Sequence, residues 1–193
     1  MPNWKLAINI LKKGGVGVIP TDTLYGLVAS VSNPEAVDRV YHLKNRAPDK
    51  PCIILISSLT ELKKFGITLN QTETKLLAKL WPGPVSIIFS LPSTITKSLT
   101  YLHRSTNTLS FRLPKSTSLR SLLKKTGPLI APSANQESAR PASTIKIAKK
   151  YFSDKVDFYI AGGKLAGKPS TLVALQAGKI IVVRHGVAKL SKV

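Results

Sequence analysis

Two short runs constrain this chain most: residues 52–56 (Cys-Ile-Ile-Leu-Ile) and 129–131 (Leu-Ile-Ala) contain no polar position. A strand with one face in water alternates in polarity. A continuous apolar run belongs inside a sheet that helices cover. The rest of the chain agrees with that frame. Residues 16–19, 27–31, 85–91, 108–113, 156–160, 171–175 and 180–183 read as further strands. Helical spacing covers 4–13, about 34–44, 72–80, 116–126 and 143–152, with a shorter helix through 58–65. Asn33-Pro34 is a cap followed by proline at the first helical position, and Gly14-Gly15 and Gly127 act as stops. Strands outnumber the crossover helices that an all-parallel sheet needs. The predicted class is therefore α/β: a twisted mixed sheet with packed helices and an open concave face.

At 193 residues, without a repeat or a low-complexity linker, the chain is expected to form one domain over 1–193. Hydrophobic residues at 43% exclude disorder, and no apolar run is long enough to span a bilayer. Residues 1–13 lack the apolar core of a signal peptide, and the single Cys52 excludes an internal disulfide framework, so the expected location is the cytoplasm. The formal charge of +20 favours polyanionic partners. The lysine pairs at 12–13, 63–64, 124–125 and 149–150 fall near helix ends, where cations suit the dipole, and read as solvated surface.

The unusual residues lie in loops at strand ends, where open α/β sheets bind ligands. These are residues 20–26 (P-T-D-T-L-Y-G), 44–51 (K-N-R-A-P-D-K-P), 112–114 (R-L-P) and 131–135 (A-P-S-A-N). Together they hold hydroxyls, amides and four cations, Lys44, Arg46, Lys50 and Arg112, against two carboxylates, Asp22 and Asp49. That set suits a ligand rich in anionic oxygens. It does not suit a two-carboxylate hydrolase. His42, His103 and His185 lack metal-ligand spacing, and no glycine-rich phosphate loop follows a strand. Each loop also has a plainer reading: a turn at 20–26, helix-end cations at Lys44 and Arg46, caps at Ser133 and Asn135, a turn at Gly162-Gly163, and surface pairing of Arg112 with Asp154 or Asp157.

In order along the chain, P-T-D-T-L-Y-G-L from Pro20, K-N-R at 44–46 with Lys50-Pro51 beyond, W-P-G-P-V from Trp81, F-R-L-P from Phe111, A-P-S-A-N from Ala131, P-S-T-L-V from Pro169 and R-H-G from Arg184 resemble the YrdC/TsaC family of threonylcarbamoyl-AMP synthases. The resemblance implies a twisted sheet with a large basic cavity. It implies that L-threonine, bicarbonate and ATP, with Mg²⁺ carried on the ATP, give threonylcarbamoyl-adenylate and pyrophosphate. Other proteins, the tRNA-modifying transferase machinery, would pass the group to N6 of adenosine 37 in tRNAs reading ANN codons. By the same resemblance Lys44, Arg46 and Lys50 would be catalytic and hold the nucleotide with Ser133, Asn135, Thr108, Ser143 and Arg184. Thr21, Thr23, Tyr25, Arg112, Ser170 and Thr171 would hold threonine, with Arg112 clamping the carboxylate and no side chain ligating metal.

The chain departs from the family's S-A-N-x-S-G. It reads S-A-N-Q-E-S-A from Ser133, one residue longer and without the glycine. The alternative class is a YciO-type paralogue acting mainly as an RNA- or tRNA-binding protein, which the charge would suit. Against it stand an aromatic content of only 6% and the absence of an arginine-rich tail.

Overall fold

The computed structural model describes residues 3–190 other than 166, 177 and 178; the outermost residues of the domain expected over 1–193 lie outside the described residues. In chain order the elements are α1 (Trp4–Lys12), β1 (Gly17–Pro20), β2 (Tyr25–Ser30), α2 (Pro34–Lys44), β3 (Ile53–Leu55), α3 (Gln71–Leu80), β4 (Val85–Ser90), α4 (Ser93–Thr96), α5 (Thr100–His103), β5 (Thr108–Arg112), α6 (Thr117–Thr126), β6 (Leu129–Ile130), α7 (Ile145–Phe152), β7 (Phe158–Tyr159), β8 (Thr171–Gln176) and β9 (Lys179–Arg184). Asn33 caps α2 by accepting from the Ala36 amide, and Ser116 caps α6 through Leu119. Gly14 and Gly127 follow their helices at positive φ. The segment 59–65 is a 3₁₀ helix, and α4 and α5 were not foreseen. At four residues each, those two turns are too short to display a helical apolar period. Among the described residues, no helix is long and apolar enough to cross a membrane.

The strands form one mixed sheet in the order β7-β1-β2-β6-β3-β5-β4-β8-β9. β7–β1, β3–β5 and β4–β8 pair parallel, and the other neighbours antiparallel. Successive side chains on a strand face opposite ways. The apolar runs accordingly split between two cores. Leu27, Ile54, Ile56, Ile130 and Phe111 pack with Val37 and Val40 of α2, Leu77 of α3 and Phe152 of α7. Ile19, Val28, Leu55 and Leu129 pack with Ala7 and Leu11 of α1 and Leu119, Leu122 and Leu123 of α6. β6 and the Ile54–Leu55 end of β3 are therefore packed on both faces, which is why those strands carry no polar position.

The α1/α6 face changes character at β5. Ser110 pairs in register with Ile53 and Ile88, and Arg112 with Leu55, so Ser110 and Arg112 share the face of Leu55. Their neighbours Leu109 and Phe111 point into the other core. Ser86 of β4 and Leu172 of β8 continue the Ser110 face by register. That half of the sheet, lined by small and polar side chains, is the floor of a cavity.

Candidate functional site

The cavity is walled by the loop 21–24 with Tyr25 and Gly26 of β2, by Arg46, Pro51 and Ile53, by Ala131–Ser133, by Pro169, Ser170 and Leu172, and by Arg184. Three arginines, Arg46, Arg112 and Arg184, are its only charged lining residues among those described. Among the described residues no carboxylate lines it.

Arg112 is 4% exposed. Its Nη1 donates to the Thr23 hydroxyl at 2.9 Å, and its Nη2 lies 3.1 Å from Asp22 Oδ1. The second contact is off-line: Asp22 Oδ1 accepts no directed hydrogen bond, and Arg112 Nε donates none. Burial depresses the Arg112 pKa, the Asp22 charge opposes that, and Arg184 adds to it. Arg112 is thus a desolvated guanidinium with donor capacity in hand. Its partner is Asp22, not the surface acids considered from sequence; Asp157 instead holds Arg39 at 2.6 Å. The loop that brings Asp22 and Thr23 is tied by Thr21, whose hydroxyl donates to Leu24 O at 2.7 Å and accepts from the Thr23 and Leu24 amides at 3.2 Å. The Tyr25 hydroxyl donates to Gly163 O and accepts from the Gly162 amide, both at 2.8 Å. A Cβ on Gly162 would lie 2.4 Å from Pro20 Cβ, so only glycine allows this approach. Gly162-Gly163 serves as an anchor for Tyr25.

Lys44 and Asn135 behave differently from expectation. Lys44 is 2% exposed and does not line the cavity. Its ammonium donates to Ser133 O, Asn135 O and Asn135 Oδ1, each at 3.0 Å. Burial, then the charge of Arg46, lower its pKa to about 8; Glu137 and Cys52 pull the other way. Asn135, 6% exposed, donates to Gln136 O and Ala139 O at 2.7 and 2.8 Å. Its Oδ1 also accepts from Ser133 Oγ at 2.6 Å. The structure places both behind the wall, bracing the loop that presents Ser133. The insertion is accommodated in the same loop. Ser138 takes φ +66°, a left-handed conformation that glycine adopts freely and that costs a serine about 1 kcal/mol.

At the rim, Arg46 donates from Nε to Lys50 O at 2.9 Å and from Nη2 to Pro51 O at 3.0 Å. Lys50 lies outside the lining, paired with Glu137 at 3.3 Å. Arg184 donates to Ser170 O at 2.9 Å, and burial followed by the charge of Arg46 lowers its pKa. The Ser170 hydroxyl meets Ser86 Oγ at 2.8 Å. Thr171 does not line the cavity: its hydroxyl accepts from the Gly186 amide and donates to Ala188 O. The Trp81 turn ties the floor together, since Gly83 N donates to Leu113 O, and the Thr171 amide donates to Pro84 O.

The expected residues Thr21, Thr23, Tyr25, Arg46, Arg112, Ser133, Ser170 and Arg184 therefore converge. Two others do not. Thr108 begins β5, at the opposite end from Arg112, and borders a separate hollow with Ser90 and Gln176. Ser143 precedes Thr144, the N-cap of α7, outside the cavity wall. The sequence reading missed Ser110, which the alternation of T-L-S-F-R would have put beside Arg112 on the strand's polar side. It also missed Glu137 and the pairing role of Asp22, for which no local pattern exists.

A profile of the Sua5/YciO/YrdC family, described as telomere recombination, matches residues 9–186. A putative threonylcarbamoyl-AMP synthase of Methanocaldococcus jannaschii is 32% identical, over 97% of this chain and 89% of that protein. A threonylcarbamoyl-AMP synthase of Pseudomonas fluorescens is 30% identical, over 93% and 97%. Among solved structures, P. abyssi Sua5 complexed with L-threonine superposes with a TM-score of 0.85 at 25% identity. The match covers 95% of this chain and 54% of that one, so the chain spans about half of the Sua5 protein. E. coli YciO gives 0.84 at 26% identity, with 98% and 93% covered.

Proposed function

The chain belongs to the Sua5/YciO/YrdC family, and from that premise we propose that it is a threonylcarbamoyl-AMP synthase. It would join L-threonine, bicarbonate and ATP and release pyrophosphate, supplying the group carried to adenosine 37 of tRNAs reading ANN codons. The observation that carries this reading is a cavity whose lining, among the described residues, holds three arginines and no carboxylate. Each of the three substrates is anionic at the atoms to be gathered, and a carboxylate among them would repel all three.

The chemistry needs little from side chains beyond placement. The amine of threonine adds to bicarbonate, giving a carbamate and water. A carbamate oxygen then attacks the α-phosphorus of ATP and expels pyrophosphate. Arg112, held by Thr23 and Asp22 and lining the cavity, would take the threonine carboxylate on its guanidinium. Arg46, Arg184 and Ser133 would meet the phosphates, where charge builds up as the bond to pyrophosphate breaks. Magnesium would arrive on the ATP and would offset charge on its phosphates. Transfer of the group to tRNA would fall to downstream transferases.

Pyrophosphate release is the test. It is expected only when threonine, bicarbonate and MgATP are all present. Release that ignores threonine, or none at all, would overturn the proposal. Salt-steep tRNA binding by a protein that makes no pyrophosphate would favour the RNA-binding reading instead.

A further inference from the structure

One carboxylate sits among the rim cations, and it comes from the inserted segment. Glu137 Oε1 lies 3.3 Å from Lys50 Nζ, and Oε2 lies 3.8 Å from Arg46 Nη1. Among the described residues it is the acid ion-paired with both. Its place does not depend on those pairs. The Glu137 amide donates to Lys44 O at 2.8 Å, and Gln136 Nε2 donates to Leu43 O at 3.0 Å, so the main chain and the neighbouring amide fix the loop against the end of α2. The Glu137 side chain is 28% exposed and Lys50 58%, so the carboxylate stands in a wet rim from which it can swing away. Arg46 lines the cavity where, on the reading above, the phosphates would arrive, and Lys50 adjoins it through Pro51, a lining residue.

We infer that Glu137 is a built-in counter-ion of the nucleotide site, which holds Arg46 and Lys50 neutralised until a polyphosphate displaces it. This rests on the nucleotide-site reading above. The physical reason is repulsion: Arg46 depresses the pKa of both Lys44 and Arg184, so the cations oppose one another when no anion is present. A carboxylate relieves that repulsion, and a phosphate entering the site must take its place. Glu137 therefore weakens phosphate binding and leaves the threonine end, at Arg112, untouched.

Calorimetry with inorganic pyrophosphate, in EDTA and at low salt, tests this on the wild-type chain and on Glu137→Gln, which keeps the side chain's shape and the loop's main-chain bond. Two partly exposed ion pairs released together are expected to tighten pyrophosphate by about threefold to tenfold. The gain should shrink toward none as salt rises to about 0.5 M, because bulk ions then do what Glu137 did. Threonine affinity should not move. Unchanged or weaker pyrophosphate binding by Glu137→Gln, with the wild type binding normally, overturns the counter-ion role and leaves the site reading standing. Failure of both proteins to bind pyrophosphate at low salt overturns the site reading, and this inference with it.

Discussion

Replacing Lys44 with methionine keeps the length of a buried side chain and removes its charge. The ammonium serves Ser133 O, Asn135 O and Asn135 Oδ1. Asn135 Oδ1 retains Ser133 Oγ and Ser133 O retains the Asn135 amide, so methionine orphans the Asn135 main-chain oxygen, at about 1–3 kcal/mol when kept from water. Against that, methionine removes a desolvated cation. Burial, then the charge of Arg46, lower the pKa of Lys44 from 10.5 to about 8, which is worth about 3 kcal/mol against the protonated side chain. A lysine lowered by folding costs stability below pH about 8, and the cost fades as pH rises toward 10.5. At neutral pH losses and gains nearly cancel, so Lys44→Met should lie within about 3 kcal/mol of the wild type. By pH 10 the wild type should have gained up to about 3 kcal/mol that the variant has not, so the difference between them should shift by that amount in the wild type's favour. Urea unfolding of both proteins at pH 7 and pH 10 measures it. An equal gap at the two pH values would refute the buried-cation account. Ordinary ATP affinity in a folded Lys44→Met would refute the bracing role.

Two further substitutions follow from the same geometry. Arg112→Lys keeps a charge but loses the fork, so the apparent affinity for threonine should fall by tenfold or more, about 1.4 kcal/mol, while that for ATP stays within about twofold; separate titrations decide, and an effect on ATP alone would assign Arg112 to phosphate. Tyr25→Phe leaves the Gly162 amide and Gly163 carbonyl without their phenol, and should cost about 1–3 kcal/mol of stability by thermal melting; a loss of threonine affinity at unchanged stability would mean that the hydroxyl meets substrate directly.

Much of the architecture was legible because burial writes itself into strands. The unbroken apolar run at 52–56 announced a strand covered on both sides, and T-L-S-F-R announced one with a polar face. The site was less legible, and Lys44 shows why. In K-N-R, two cations stand two residues apart at a helix end and look equivalent. Asn45 takes the left-handed conformation at φ 51°, ending α2, and the chain reverses there. Lys44 remains on the helix and turns inward, whereas Arg46 lies on the returning strand-entry segment and lines the cavity. Residue type and spacing suggested a ligand; the backbone reversal decided which cation could reach one. Asp22 with Arg112 and Glu137 with Lys50 join residues 90 and 87 apart, and nothing local in either segment marks its partner. Thr108 fails for the opposite reason: it lies on the correct strand, but a strand of five residues has two ends.

The distribution of charge bears on how the site selects ligands. Of the lysines and arginines among the described residues, only three arginines line the cavity. Lys12, Lys63, Lys64, Lys124, Lys125, Lys149 and Lys150 stand in the last turns of their helices, exposed, where they meet carbonyl ends. At physiological salt, charges more than about 8 Å away are largely screened. The surface lysines therefore raise the local concentration of any polyanion without distinguishing one from another. Discrimination falls to groups that hold their charge in a dry wall. Guanidinium is suited to that place because it is less strongly hydrated than ammonium and spreads its charge over a planar fork. Lys44 makes the contrast within the same loop set: buried as deeply as Arg112, it keeps its proton only to about pH 8 and needs three acceptors to do so. A lysine at position 112, with Thr23 and Asp22 as its neighbours, would face the same desolvation with fewer acceptors, and would be a weaker cation in the place where a carboxylate has to be held.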